Sequence, residues 1–260
     1  MSIGFATSET RFGGFHPAMH SSDKGRVSQV LPPAELESTD APTDGSLFSD
    51  LSAPSIRVIN QIARVSRHPS GTIMFFEGDA ARGVYILYEG RANVITADSE
   101  GKTLILKVAS PGDVLGLSSV FAGTFHSATV ETVLPCRFAF IAREDFVKLI
   151  KEHSDACFLF AQCLGRDCHS AYSVIRLMAK PVLRRLARFL FSCCDNGRLE
   201  AGVVRTHFVL THGAIAQRIG CSRETVSRTL SELKRKRIAE LVGTTLLVHD
   251  RTALENLSGS

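Results

Sequence analysis

The stretch Thr211-His-Gly-Ala-Ile-Ala-Gln-Arg-Ile-Gly220-Cys-Ser-Arg-Glu-Thr-Val-Ser-Arg-Thr-Leu230 decides how the C-terminal third of the chain folds. Thr211 is a side chain that caps helices, because its hydroxyl accepts from the unpaired N–H groups of a first turn. Ile215 and Ile219 then lie four residues apart, on one helical face. Gly220 ends that helix, since a residue without Cβ turns left-handed at little steric cost. Ser222 caps a second helix, expected over about 222–236, with Val226, Leu230 and Leu233 as its buried stripe. Arg223, Glu224, Ser227 and Arg228 fall on its other face. This is the pattern of a helix-turn-helix, whose second helix lies in the DNA major groove with its N-terminal residues at base edges. An arginine fork matches the two acceptors of guanine, and a glutamate accepts from the cytosine amino group. Ser222 and the helix N-terminus suit phosphate, and Thr211 joins this DNA-binding set. Lys234, Arg235, Lys236 and Arg237 follow, suited equally to phosphate or to a solvated basic surface; Lys234 and Arg235 are kept as contact candidates. Residues 240–242 and 245–248, joined through Gly243-Thr244, read as the hairpin of a winged helix.

The charge agrees with this placement. The chain of 260 residues has a net charge of +4, but residues 181–260 hold 13 Lys/Arg against 7 Asp/Glu, hence +6. A basic C-terminal segment on a slightly acidic body points to a polyanionic partner at that end. Immediately before the motif, Leu183, Leu186, Ala187 and Leu190 give an amphipathic helix, and Pro181 places a hinge at 179–182.

Upstream of the hinge a long helix is expected over 154–179. Its Cys157, Ala161, Leu164, Cys168, Ala171, Ile175 and Met178 are spaced 4, 3, 4, 3, 4 and 3. That period suits a partner helix, so a symmetric dimer seam is preferred over packing on the chain's own β domain. Phe158 and Phe160 flank the seam as candidates for pinning the helix to that domain. From 71 to 143 the pattern is β: short β-branched and aromatic runs at 72–76, 84–88, 91–97, 102–109, 128–132 and 137–141, punctuated by glycine. Such spacing predicts an antiparallel barrel or roll. A short helix is expected at about 54–66, and residues 1–50, rich in Gly, Ser, Thr, Asp and Pro, read as a disordered tail.

The bulk composition excludes several classes. No apolar run approaches the ~18–20 residues of a membrane span, and no signal-peptide pattern opens the chain, so a cytoplasmic protein without membrane contact is expected. Seven cysteines stand at 136, 157, 163, 168, 193, 194 and 221, with no CxxC pair, so no metal site is expected. Metalloprotease, P-loop and nucleophile-elbow motifs are missing, and an enzyme is not expected.

The run Gly220-Cys-Ser-Arg-Glu-Thr-Val-Ser-Arg228 resembles the recognition-helix motif of the Crp/Fnr family, the relatives of the cyclic-AMP receptor protein. Over about 60–250 the resemblance extends to Gly78-Asp79, Gly90, Glu100-Gly101-Lys102 and Pro111-Gly-Asp-Val-Leu-Gly116. It implies an α+β chain: an antiparallel, cyclic-nucleotide-binding-like β-roll sensor over 51–153, a dimerisation helix over 154–180 and a winged helix-turn-helix over 181–260. It implies that Arg223, Glu224 and Arg228 contact bases in double-stranded DNA, and that a homodimer binds palindromic sites. Cyclic-nucleotide binders of the family place a glutamate and an arginine in the cassette after the Gly-Asp turn. Here Leu117 and His126 stand at those positions. A leucine accepts no ribose hydrogen bond, and a neutral histidine gives phosphate less than an arginine fork does. Cyclic AMP is therefore disfavoured as effector. Gly116, Leu117, Ser118, His126, Ser127 and, from the long helix, Tyr172 form the candidate effector set, in which another anionic ligand could still use His126, Ser127 and the nearby backbone N–H groups. The iron–sulfur branch of the family needs clustered N-terminal cysteines, and this chain has none before Cys136. None of the nine histidines sits in a haem-specific motif, so no cofactor is assigned. RNA polymerase and a small-molecule effector stand as candidate partners. The leading expectation is an effector-modulated dimeric regulator. The alternatives are a constitutive DNA-binding regulator with a degenerate sensor and, behind it, a signalling module acting on a partner protein.

Overall fold

The computed structural model describes residues 47–99, 101–200 and 202–259. Most of the expected tail, and Glu100, lie outside the described residues. The end of that tail is a correction: Phe48 is buried, together with the following Leu51, in the core beneath the β domain, and it meets the Tyr88 ring edge-on at 6.4 Å. Two apolar side chains in a polar stretch are enough to anchor the chain there.

Helix α1 (Ala53–Ile62) is capped by Ser52 and ends where Ala63 turns extended. The expected helix over 54–66 is thus too long, because Arg64–His68 forms strand β1. That run lacks apolar alternation. Its buried Ser66 and His68 satisfy one another instead, Oγ to Nε2 at 2.9 Å. The strands β2 (Ile73–Phe75), β3 (Gly83–Glu89), β4 (Ala92–Ala97), β5 (Thr103–Ala109), β6 (Val114–Leu115), β7 (Thr129–Thr132) and β8 (Cys136–Ala142) follow. They form two antiparallel four-stranded sheets, ordered β1-β8-β3-β6 and β2-β7-β4-β5. Strand alternation splits the core in two. Leu87 and Phe138 point between the sheets, toward Phe75, Val130 and Leu115. Val84, Ile86, Ala139 and Ile141 point outward, under α1, α2 (Leu117–Ala122), α3 (Arg143–Glu152) and the start of α4 (Ser154–Met178).

The long helix α4 has two regimes. Ala156, Leu159, Phe160 and Cys163 are buried against the β-roll, with Phe160 edge-on to Phe146 at 4.8 Å. Phe158, expected to help pin the helix, is 66% exposed instead. Past Cys163 no residue of α4 is buried. Its N-terminus is tied down by Asp155, which accepts from the Ser55 hydroxyl at 2.7 Å and the Ser52 N–H at 2.8 Å. Those hydrogen bonds, led by the Ser52 N–H, hold the Asp155 carboxyl well below the usual carboxylate range.

The C-terminal domain contains α5 (Val182–Cys193), β9 (Arg198–Glu200), β10 (Val203–His207), α6 (His212–Ile219), α7 (Arg223–Arg235), β11 (Ala239–Val242), β12 (Thr245–Val248) and α8 (Arg251–Ser258). Its sheet runs β11-β12-β10-β9. Leu186, Leu190, Ile215, Val226, Leu233, Leu246 and Leu254 are fully or nearly fully buried in one core. No described helix is long and apolar enough to cross a membrane.

Candidate nucleic-acid interface and effector cavity

The helix-turn-helix forms as its capping residues direct. The Thr211 hydroxyl accepts from the Ala214 N–H at 3.1 Å, and the Ser222 hydroxyl from the Thr225 N–H at 3.2 Å. Gly220 sits between the helices at φ +63°. Val226, Leu230 and Leu233 are buried, which fixes the rotation of α7 about its axis. Arg223, Glu224 and Arg228 are left exposed on the other side. Hydrogen bonds from its own backbone N–H and from Ser222 lower the Glu224 pKa, so this carboxylate is ionised at neutral pH.

Ser227 is half-buried and serves the domain itself, because its hydroxyl lies 2.8 Å from His212 Nδ1 and joins α7 to α6. Lys234 and Arg235 are exposed at the end of α7, but Lys234 Nζ is 2.7 Å from Glu240 of the wing hairpin. Arg185 gives no signal in the sequence, yet it braces the motif. Its Nη1 donates to the Ile219 carbonyl at 2.6 Å and lies 3.0 Å from Met178 Sδ. It thereby closes the open carbonyl end of α6 and ties the hinge to the turn. The Gly101–Thr103 end of the β4–β5 hairpin borders a groove with Thr211, Gly213, Ser222 and Arg223, so the β-roll reaches the edge of the same face.

A second site lies between the β-roll and α4, a cavity of about 400 Å³. It brings together Gly116, Leu117, Ser118, His126 and Ser127. Tyr172 is not part of it: the helix turns this side chain outward, 65% exposed, and lines the cavity with Ala171, Val174 and Ile175 instead. Gly116 stands at φ +79°, where a Cβ would lie 2.9 Å from His126 Cε1. The His126 ring stacks on Phe75 at 3.8 Å. Its backbone donates to Asp79 O and accepts from the Gly78 N–H, each at 2.8 Å. Burial pushes the His126 pKa below its ordinary value, so the ring is neutral at pH 7. Leu117, 1% exposed, belongs to the core against α4.

An ion triad likewise has no sequence signature. Lys107 Nζ is 2.7 Å from both Asp113 and Asp167, linking β5, the turn before β6 and α4. Burial, the largest single influence, pulls the Lys107 pKa down, but the two hydrogen-bonded carboxylates together raise it above its ordinary value. Asp167 lies 60 residues from Lys107 along the chain, so no spacing announces the pair.

A capped helix with a charged outer face, set in a winged domain that follows a β-roll with a cavity between it and α4, defines a DNA-binding regulator with a sensor-type domain. Comparison with known families agrees. The family model described as "Cyclic nucleotide-binding domain" matches residues 65–153, and "Crp-like helix-turn-helix domain" matches 184–257. The cAMP-activated global transcriptional regulator CRP of Pasteurella multocida is 28% identical over 198 residues, 75% of this chain and 95% of that protein. A CRP-like cAMP-activated global transcriptional regulator of Mycobacterium tuberculosis is 23% identical over 210 residues, 80% of this chain and 94% of that one. Among solved structures, the c-di-GMP responsive global regulator CLP of Xanthomonas campestris superposes with a TM-score of 0.66 at 21% identity, covering 76% of this chain and 99% of that one. A Crp/Fnr-family regulator from Eubacterium rectale gives a TM-score of 0.67 at 20% identity, covering 83% and 98%. The chain belongs to the Crp/Fnr family of transcription regulators and is a DNA-binding regulator.

Proposed function

We propose that the protein binds two-fold-symmetric DNA sites as a homodimer, with α7 of each copy in a major groove and a small-molecule effector acting at the β-roll. The observation that carries this reading is the pair of unpartnered faces. On α7, Arg223, Glu224 and Arg228 are exposed above a buried apolar stripe. On α4, Ala161, Cys168, Ala171 and Ile175 are exposed along the heptad seam, although a 62% exposed isoleucine disfavours solvent. In the proposed complex Arg223 and Arg228 read guanine and Glu224 reads cytosine. Ser222, Thr211 and Arg235 hold phosphates, while Lys234 divides its charge between phosphate and Glu240. RNA polymerase is the proposed partner of the DNA-bound dimer, which acts in the cytoplasm.

The cavity and the seam share Leu164, Cys168, Ala171 and Ile175. A ligand that fits the cavity better in one arrangement of the two α4 helices therefore shifts the population toward it. A second reading, a constitutive regulator, is favoured by the places of Leu117 in the core and of the His126 ring against Phe75 and Gly116. Selection of the purified protein against a random duplex library tests both. Enrichment of symmetric sites with half-site centres about 10–10.5 bp apart, or a multiple of that, supports the dimer. Enrichment without added ligand supports the constitutive reading. Failure to enrich any site, alone or with cyclic nucleotides, haem or oxidant, contradicts both.

A further inference from the structure

The geometry points to an uncharged, mainly apolar small molecule as the ligand of the cavity between the β-roll and α4, in place of a phosphate-bearing nucleotide. This rests on the reading of the β domain as an effector site. Apolar side chains come from each side: Phe75, Val94, Leu106 and Val130 from the roll, Leu164 and Val174 from α4. At about 400 Å³ the space is of a size that small-molecule sites commonly have.

The charge balance decides the ligand class. The ionic side chains among the lining residues are Lys107 and Asp167, and they are bonded to one another at 2.7 Å. Lys107 makes its other ion pair with Asp113, also at 2.7 Å. The triad therefore carries one net negative charge, and its cation is already committed to two carboxylates. His126 supplies no compensating cation. Its ring is closed in by Phe75 and the backbone of Gly116, and its Nδ1 is buried without a partner among the described residues. An entering anion would lose its water and meet a negative balance, and with the Lys107 charge committed to two carboxylates the lining has only serine hydroxyls to set against that desolvation. An uncharged molecule loses little, gains by burying its apolar surface, and finds the hydroxyls of Ser118, Ser127 and Ser170 for a neutral polar group.

The test is a matched pair of ligands that differ in charge, 1-octanol and octanoate, with cyclic AMP as a third arm. Each is titrated calorimetrically into the full-length protein, into Val174→Trp and Leu106→Trp, which fill the space from α4 and from β5, and into Asp167→Asn. Thermal melting checks that each variant folds. Binding of 1-octanol at least tenfold tighter than octanoate, lost in a folded Trp variant, is the expected result. Asp167→Asn, which removes one negative charge from the wall, should narrow the gap between the two. Octanoate or cyclic AMP binding as tightly as 1-octanol, with the same sensitivity to the Trp variants, overturns the inference and leaves the effector site standing. Octanol binding that survives in both folded Trp variants, or no octanol binding at all, also overturns it. If octanoate and cyclic AMP fail to bind as well, the effector reading falls with it.

Discussion

Two glycines seven residues apart in the helix-turn-helix should respond with opposite signs to the same change. Gly220→Ala places a Cβ on a backbone at φ +63°, where an L-residue costs about 1–2 kcal/mol. That Cβ would also lie 2.6 Å from Met178 Sδ and 3.1 Å from Leu104 Cδ1. The sulfur belongs to a flexible side chain and can retreat, but its contact with Arg185 at 3.0 Å is then lost. The loss of chain entropy in the unfolded state offsets about 0.4–1 kcal/mol. The net expectation is destabilisation by about 1 kcal/mol, which for a domain of this size lowers Tm by roughly 4–8 °C. Gly213→Ala meets only Thr211 Oγ1, at an ordinary 3.7 Å, on a helical backbone. There alanine should stabilise by up to about 0.5–1 kcal/mol. Calorimetric or circular-dichroism melting of the two variants beside the parent protein gives both signs. A Gly220→Ala protein as stable as the parent would refute the need for a left-handed residue packed against the hinge at this turn.

Acid should weaken the β-roll. Burial lowers the pKa of His126, and that of His68, below the ordinary 6.5, so the unfolded chain binds protons more tightly than the folded one. Stability from this source is present above about pH 6.5 and declines as pH falls below it. The Tm should drop between about pH 7.5 and 5.5, and His126→Phe, which keeps the stack on Phe75 but cannot titrate, should flatten part of that slope; an unchanged slope contradicts the assignment to His126. Ile175→Asp places a carboxylate at the exposed seam position of each copy. Sedimentation equilibrium should then show a monomer, and DNA affinity should fall at least tenfold, whereas a persisting dimer would move the interface elsewhere.

The helix-turn-helix was readable because its determinants are local. Thr211, Gly220 and Ser222 each act on backbone groups within three or four residues, and Val226, Leu230 and Leu233 repeat with the helical period. The β-roll was readable as a class for the same reason, since glycine turns and alternating strands leave short-range marks. Long-range arrangements left none. Strand β1 hides in Arg64-Val-Ser-Arg-His68 because its buried polar positions pair with each other. Arg185 looks like one more basic residue until the carbonyl of Ile219, 34 residues on, is brought to it. The Lys107 triad is assembled by the fold alone. The cassette was legible in what it lacks, at Leu117 and His126, but not in what those residues do instead: one fills the core and the other forms a wall.

Whether α7 reads DNA bases is tested most directly at Arg223, its first residue. The random-duplex selection should be repeated with Arg223→Ala, and the affinity of both proteins measured on the parent's preferred site. Relaxed preference at one base pair in each half-site, with a loss of about 1–3 kcal/mol, is the predicted result. An identical base preference at unchanged affinity would contradict it.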